Sequence, residues 1–273
     1  MQNVVHQKLL KLLEKLVKSG DSFDLHELLL RFTFDNICVT AFGIDPGCLA
    51  FNLPEIPFAK AFEEATELTL RRFIVPPFVW AHLRYFGLGY EKRIKEAIQI
   101  VHDFAEKTVM EKQKELCKSV NLNGHSDLLS RLMKIQDSEA DRQDNYKFYR
   151  DFCVSFILAG RDTSSVALAW FFWLVNKYPE VETRILNEIK DILGHQECKN
   201  ENPYEHDVVF SEEDLKKMVY LQAALSESLS LYSSVPIDFK EVLEDDVFPD
   251  GTFIKKGSRV VYSIFSMARM ESI

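Results

Sequence analysis

One stretch, Phe152 to Val175, constrains the fold of this chain more than any other. It consists of two apolar arms around a short polar centre, Ala159-Gly160-Arg161-Asp162-Thr163-Ser164-Ser165. Apolar residues of the arms fall on every face of a helix, and this pattern is typical of a helix surrounded by protein. The sequence therefore predicts a buried central helix with polar side chains at its middle.

The polar centre has three interpretations. A membrane span would place Arg161 and Asp162 at the bilayer centre, where each costs about 2.5–3.5 kcal/mol, so this interpretation is the least favoured. A core helix whose polar groups are satisfied by neighbours is a common arrangement. The third is a local break in the helix at a ligand, because Gly160 allows close approach and the Thr163 hydroxyl can bind a carbonyl about one turn back.

The run A-G-R-D-T-S within this stretch resembles the oxygen-binding helix of the cytochrome P-450 haem-thiolate monooxygenases. The similarity extends over nearly the whole chain, including R-F-T-F-D-N-I-C-V-T-A-F-G and E-D-D-V-F-P-D-G-T, and is strongest to plant fatty-acid ω-hydroxylases. The resemblance implies a partial cytochrome P-450 fold. That fold is mainly α, a helical bundle around a long central helix, with a small antiparallel β element near the C-terminus.

The resemblance also implies a function and its residues. Members of this family hydroxylate fatty acids with O2, haem and electrons from an NADPH-dependent reductase, at the endoplasmic reticulum membrane. The family roles carry over to Asp162 and Thr163 as proton-delivering groups and to Ala159, Gly160 and Thr163 as the haem-facing wall. A hydroxyl backed by a carboxylate suits proton delivery to a site that excludes water. An ion pair with a nearby Arg or Lys remains the alternative role for Asp162.

An apolar channel for an acyl chain is expected on one side of the central helix. Its wall would be formed by Phe152 and Phe156, together with Val235, Pro236 and Ile237 after a later helix. Any buried helix shows the same apolar stripe, so the fatty-acid substrate rests on the resemblance alone.

Two departures from the family pattern stand out. The Glu-x-x-Arg pair of the family reads Glu227 to Ser230 here, which leaves an unpaired and, by expectation, largely buried carboxylate. None of the five cysteines, Cys38, Cys48, Cys117, Cys153 and Cys198, lies in the F-x-x-G-x-R-x-C-x-G context of an axial ligand. The sequence thus predicts no metal ligand.

The expectation that follows is a single partial domain over residues 1–273, without the N-terminal anchor and the cysteine loop of the family. Alone, such a chain is expected to form helices without retaining haem, and Ser230→Arg is not expected to rescue it. The alternative to an enzyme is a non-catalytic truncated remnant.

Composition excludes other classes of function. A formal charge of −9 and a pI near 5.4 argue against a nucleic-acid surface. The cysteines and histidines form no paired spacing, so neither a disulfide framework nor a protein-only metal site is predicted.

Periodicity predicts the order of elements. The stretch Phe78 to Gly89 is expected to be an irregular aromatic connection, either packed on the core or lidding the channel at the membrane surface. Polar connections are predicted at 119–125, 137–145 and 195–210. Helices are predicted at 4–18, 24–42, 58–73, 90–118, 127–135, 152–175, 179–194 and 221–232, with strands within 247–254 and 257–264.

Overall fold

The structure of the chain is a computed structural model that describes residues 4–20, 22–50, 53–118, 127–136, 142–194 and 210–271. The chain is mostly helical, as predicted, and forms two compact units, residues 1–161 and 162–273. The division lies between Arg161 and Asp162, inside the helix Arg142–Lys177. The prediction of one partial domain stays a prediction.

The first unit is built from helices. A π-helical segment, Val5–Leu10, precedes the first α-helix, and another, Cys38–Phe42, continues the second. The helices are α1 (Lys11–Ser19), α2 (Leu25–Ile37), α3 (Pro57–Ile74), α4 (Pro77–Phe86), α5 (Gly89–Lys118), α6 (Leu128–Gln136) and α7 (Arg142–Lys177), the last of which continues into the second unit.

Local sequence explains where the first two helices begin and end. Gly20 ends α1 in the left-handed conformation, with φ of 73°. The Asp24 carboxylate starts α2 by accepting the backbone N–H groups of His26 and Glu27 at 2.8 and 3.2 Å. The predicted helices over 4–18 and 24–42 are therefore confirmed, each with one wider π-helical segment.

The aromatic stretch after α3 is a helix, so the predicted irregular connection over 78–89 is wrong. Pro77 occupies the first turn of α4, where its missing N–H costs nothing, and Gly87 ends the helix with φ of 61°. Pro76 and Pro77 follow the end of α3 and also open α4. Phe78 and Tyr85 are 67% and 85% exposed, so these rings do not pack on the core.

An aromatic cluster forms the centre of the first unit. The rings of Phe34, Phe58 and Phe104 join α2, α3 and α5, with centroid separations of 4.9, 5.9 and 4.2 Å. Tyr149 and Ile157 bring the first half of α7 into the same buried cluster. The helix at the middle of the sequence is thus anchored to the core along one side.

The second unit combines helices with two short antiparallel ribbons. Its elements are α8 (Pro179–Gly194), α9 (Glu212–Lys217), α10 (Val219–Leu231), β1 (Asp238–Glu241), β2 (Asp246–Val247), β3 (Phe253–Ile254), β4 (Arg259–Tyr262) and α11 (Ile264–Met267). Asp238 pairs with Tyr262 between β1 and β4, and Asp246 pairs with Ile254 between β2 and β3. The predicted β element is confirmed, although β1 was missed and the last strand is shorter than predicted.

A carboxylate on α8 starts α10. The side chain of Met218, at the N-cap of α10, makes no capping hydrogen bond. Instead, the Glu188 carboxylate accepts hydrogen bonds from the N–H groups of Tyr220 and Leu221 at 2.7 and 2.9 Å. These N–H groups have no partner within their own helix, and a negative charge favours this end of the helix dipole. Glu188 therefore joins the two helices through the backbone.

Some predicted connections lie outside the described residues. This applies to 119–125 and to most of 137–145 and 195–210. Residues 142–145 belong to α7, which begins earlier than predicted.

The central helix is less buried than its sequence predicts. Leu158, Phe172 and Trp173 are 50%, 45% and 45% exposed, so the expectation of a helix surrounded by protein is wrong for the described structure. Among the described residues of α7, the buried ones, such as Cys153, Ile157 and Arg161, lie along one side of the helix. The segment Asn145–Lys177 has the length and apolar composition of a membrane span, properties that core helices of soluble proteins share.

Candidate active site on the central helix

The polar centre of the sequence lies within α7 without interrupting it. The helix runs continuously from Arg142 to Lys177, so the predicted local break is wrong. Hydroxyl groups bind its carbonyls instead. A carbonyl oxygen has two lone pairs, so it can accept a side-chain hydroxyl while the bond within the helix persists.

Three consecutive carbonyls of the centre each accept a hydroxyl. In the first unit, Thr33 on α2 donates to the carbonyl of Arg161 at 2.9 Å. In the second unit, Ser165 donates to the carbonyl of Asp162 at 2.9 Å, and Ser234 donates to that of Thr163 at 2.8 Å. The backbone of the motif is therefore held by side chains from outside α7 as well as from within it.

The predicted haem-facing and proton-delivering residues differ in exposure. Ala159 is exposed, whereas Gly160, Asp162 and Thr163 are half-buried. Ala159 and Thr163 are four residues apart in α7, the spacing that places two residues on one helix face. This face carries a small side chain beside a hydroxyl.

Arg161 points into the first unit. It is 4% exposed, and its guanidinium lies over the ring of Phe62, 5.6 Å from the centroid. It also lines a polar cleft of about 460 Å³ with residues of α2 and α3. The arginine at the polar centre thus belongs to the interior of the first unit.

At Gly160, α7 packs closely against Ile37 of α2. A Cβ added there would lie 2.9 Å from Cδ1 and 3.0 Å from Cγ1 of Ile37. Normal carbon contacts are about 3.5–4.0 Å, so any larger residue must displace Ile37 or the helix. The glycine of the motif therefore has a packing role in addition to its expected place in the haem-facing wall.

We expect Gly160→Ala to lower the free energy of unfolding by about 1 kcal/mol. Alanine favours a helix by about 1 kcal/mol, but overpacking against Ile37 costs about 1–3 kcal/mol. In the Ile37→Ala background, which removes both Cδ1 and Cγ1, the same substitution should become neutral or stabilising. The measurement is denaturant unfolding followed by circular dichroism.

Gly194→Ala is the matched control, because nothing lies within 4 Å of a Cβ added at Gly194. A Gly160→Ala variant stabilised equally in both backgrounds would contradict the steric argument.

The predicted substrate wall divides between the two units. In the first, Phe152 and Phe156 are half-buried, with ring centroids 4.4 Å apart, and both pack against the buried core. In the second, Val235, Pro236 and Ile237 are exposed. Their role as substrate-lining residues stays a prediction.

The expected burial of Glu227 is wrong. The residue is exposed, so the expected buried and unpaired carboxylate is absent from the described structure. Ser230 is also exposed and donates to the carbonyl of Ser226 at 3.0 Å. The reason is that α10 buries little besides Ser228, and Glu227 lies at an open apolar groove of about 380 Å³.

The described cysteines do not fit the role of an axial haem ligand. Cys38, Cys48 and Cys153 are buried in the first unit, and Cys117 is exposed near the end of α5. Burial raises the pKa of Cys153 to about 12 and also raises the pKa values of Cys38 and Cys48. A haem ligand must be a thiolate, which these sites disfavour.

The residues of α7 fit a haem-facing wall, but the described part of the chain supplies no axial thiolate. Cys198 lies outside the described residues, and its sequence context differs from the family motif.

Three residues that contact the motif were not predicted from the sequence. Thr33 and Ser234 donate hydrogen bonds to carbonyls of the polar centre, and Ile37 occupies the space beside Gly160. All three residues are far from α7 in sequence. Thr33 and Ile37 lie in the run that carries the family resemblance, which was the only available signal.

Known proteins resemble the whole of this chain. Cytochrome P450 86B1 of Arabidopsis thaliana is 53% identical over 271 residues, covering 99% of this chain and 48% of that protein. Cytochrome P450 94A1 of Vicia sativa is 43% identical over 267 residues, covering 97% and 48% respectively. The chain thus spans about half the length of these curated relatives.

The fold is also similar to that of a solved cytochrome P450 structure. The crystal structure of the cytochrome P450DA heme domain matches with a TM-score of 0.74 at 20% identity, covering 100% of this chain and 53% of that one. The sequence model of the Cytochrome P450 family matches residues 1–273. Together with the A-G-R-D-T-S run on α7, these matches show that the chain belongs to the cytochrome P450 family.

Proposed function

We propose that this chain is part of a haem-dependent monooxygenase that hydroxylates fatty acids at or near the terminal methyl group. The observation that carries the proposal is the A-G-R-D-T-S run at the middle of a continuous α7, with its backbone held by hydroxyls of Thr33 and Ser234. The similarity to plant fatty-acid ω-hydroxylases supports the substrate class. Electrons would come from an NADPH-dependent reductase at the endoplasmic reticulum membrane.

The chain's own residues have defined tasks in this proposal. The Thr163 hydroxyl and the Asp162 carboxylate hold and pass protons, while Ala159 and Gly160 leave space at the same part of the helix. Bound haem would supply the oxidation chemistry. The outward apolar side of α7, including Leu158 and Phe172, would be covered in the longer protein.

An alternative proposal concerns the chain by itself: residues 1–273 alone retain no haem and catalyse nothing. The described cysteines favour it, because the buried thiols are held un-ionised and Cys117 lies apart on α5. The two proposals differ in what they expect of the isolated chain and of a completed protein.

One experiment tests both. Residues 1–273 replace the matching half of cytochrome P450 86B1, and the chimaera and the isolated chain are each reconstituted with haem, reduced and exposed to carbon monoxide. We expect a thiolate-type spectrum and ω-hydroxylated fatty acid from the chimaera only. Thr163→Ala in the chimaera should lower turnover about 100-fold, within the usual contribution of a general acid–base group.

A chimaera that binds haem as a thiolate complex yet leaves fatty acids unchanged would refute the substrate proposal. A thiolate-type spectrum from the isolated chain would refute the alternative. Unchanged turnover in the Thr163→Ala chimaera would remove the proposed role of that hydroxyl.

A further inference from the structure

A surface groove of the first unit combines apolar walls with an excess of positive charge. It has a volume of about 920 Å³ and lies between the end of α4 and the first half of α5. This volume is within the usual range of about 300–1,000 Å³ for small-molecule sites. The groove is distinct from the polar centre of α7, since none of its lining residues belongs to that helix.

The apolar part of the groove comes from α4 and α5. Tyr85 and Phe86 at the end of α4 are 85% and 65% exposed, and their rings meet edge to face with centroids 5.1 Å apart. Ile98 on α5, which is 37% exposed, adds aliphatic surface. Exposed aromatic rings beside a concave surface suit an aliphatic chain, because its burial removes apolar area from water.

More positively charged than negatively charged side chains line the groove. Four cations, Arg72, Arg84, Lys92 and Lys95, line it with two carboxylates, those of Glu91 and Glu96. Both carboxylates are already paired: Arg72 binds Glu91 through two hydrogen bonds of 2.8 and 2.6 Å, and Lys92 lies 3.8 Å from Glu96.

The other two cations of the groove are Arg84 and Lys95. Within the described ranges, neither has a side-chain hydrogen bond or an ion pair, and both are exposed at the groove. This local excess of positive charge belongs to a chain whose formal charge is −9. The two cations are therefore available for an anion from outside the chain.

We propose that this groove binds a free fatty acid, with its carboxylate at Arg84 and Lys95 and its aliphatic chain along Tyr85, Phe86 and Ile98. The inference rests on the proposed function for its substrate class and adds a second, surface site for that substrate. A concave groove suits one acyl chain better than the flat surface of a bilayer, so free fatty acid is the favoured occupant. Binding here would concentrate the substrate at the protein.

Calorimetric titration of the haem-free chain 1–273 with monomeric laurate tests the inference. We expect saturable binding of one laurate, weakened about fivefold by Arg84→Gln or Lys95→Gln and tenfold or more by both together, because an exposed charge contact contributes up to about 1 kcal/mol. Lys107→Gln is the matched control, since Lys107 is an exposed cation of α5 outside the groove. Dodecyltrimethylammonium, which has a similar aliphatic tail and the opposite charge, should not bind saturably.

Three outcomes would overturn the inference. One is the absence of saturable laurate binding, and another is an equal loss of affinity in Lys107→Gln. The third is binding to phosphatidylcholine vesicles containing phosphatidylserine, with the same dependence on Arg84 and Lys95, but no binding of monomeric laurate. Because the titration uses no haem, its failure is separable from failure of the chimaera to hydroxylate fatty acids.

Discussion

Replacing Asp35 with asparagine is expected to lower the free energy of unfolding by about 3 kcal/mol. The Asp35 side chain is fully buried on α2 and accepts the backbone N–H groups of Cys48 and Leu49 at 3.0 and 3.2 Å. It also receives the Lys8 ammonium at 3.3 Å. Asparagine offers one acceptor atom where the carboxylate offers two, so at least one buried N–H loses its partner. Lys8 also loses the negative charge with which its ammonium is paired.

Asp45→Asn is the matched control, because Asp45 binds the same lysine but is 52% exposed. Exposed pairs contribute about 0–1 kcal/mol, so this variant should unfold almost like the unmodified chain. Denaturant titration followed by circular dichroism measures both. Equal destabilisation by the two substitutions would show that the hydrogen bonds from Cys48 and Leu49 to Asp35 are not the source of the effect.

Replacing Arg72 with methionine is expected to cost about 3–5 kcal/mol of unfolding free energy. Arg72 on α3 forms two hydrogen bonds with Glu91 on α5, whose side chain is only 1% exposed, and it also lies 5.3 Å from the ring centroid of Trp80 on α4. The hydrogen bond with Glu91 raises the pKa of Arg72. Without the guanidinium, a buried carboxylate is left unpaired.

Two further variants separate charge from packing. Arg72→Met combined with Glu91→Leu should recover most of the loss, because apolar replacement of a buried pair is often neutral. Arg93→Gln is the control, since Arg93 and Glu64 join the same two helices at 2.6 Å but Arg93 is 62% exposed. The measurement is again denaturant unfolding, and a double variant as unstable as Arg72→Met would contradict the charge argument.

Much of the fold could be predicted from the sequence, because helix signals are local. Asp24, Gly20 and Gly43 mark helix ends. The predicted helices occur in the predicted order and the late β element is present, although α4 was not among the predicted helices. The errors have local causes as well. Pro76-Pro77 both ends one helix and opens the next, and β1 has no alternating apolar pattern, since its residues are Asp-Phe-Lys-Glu.

The candidate site was predictable only in part. The motif on α7 was found because it is one contiguous run, whereas its supports Thr33 and Ser234 are 128 and 71 residues from the carbonyls that they bind. Burial was predicted least well. Glu227 and the outward side of α7 carry sequence patterns of buried positions, but exposure depends on which neighbours cover a helix, and periodicity does not contain that information.

The cap that Glu188 provides for α10 has a consequence for the order of folding. Because Met218 cannot start α10, its first turn forms favourably only when α8 is already helical and in place. The two helices are then one cooperative unit, and the backbone amides of Tyr220 and Leu221 exchange with solvent only when that unit opens. A single carboxylate thereby couples the timing of two helices that lie more than thirty residues apart at this contact.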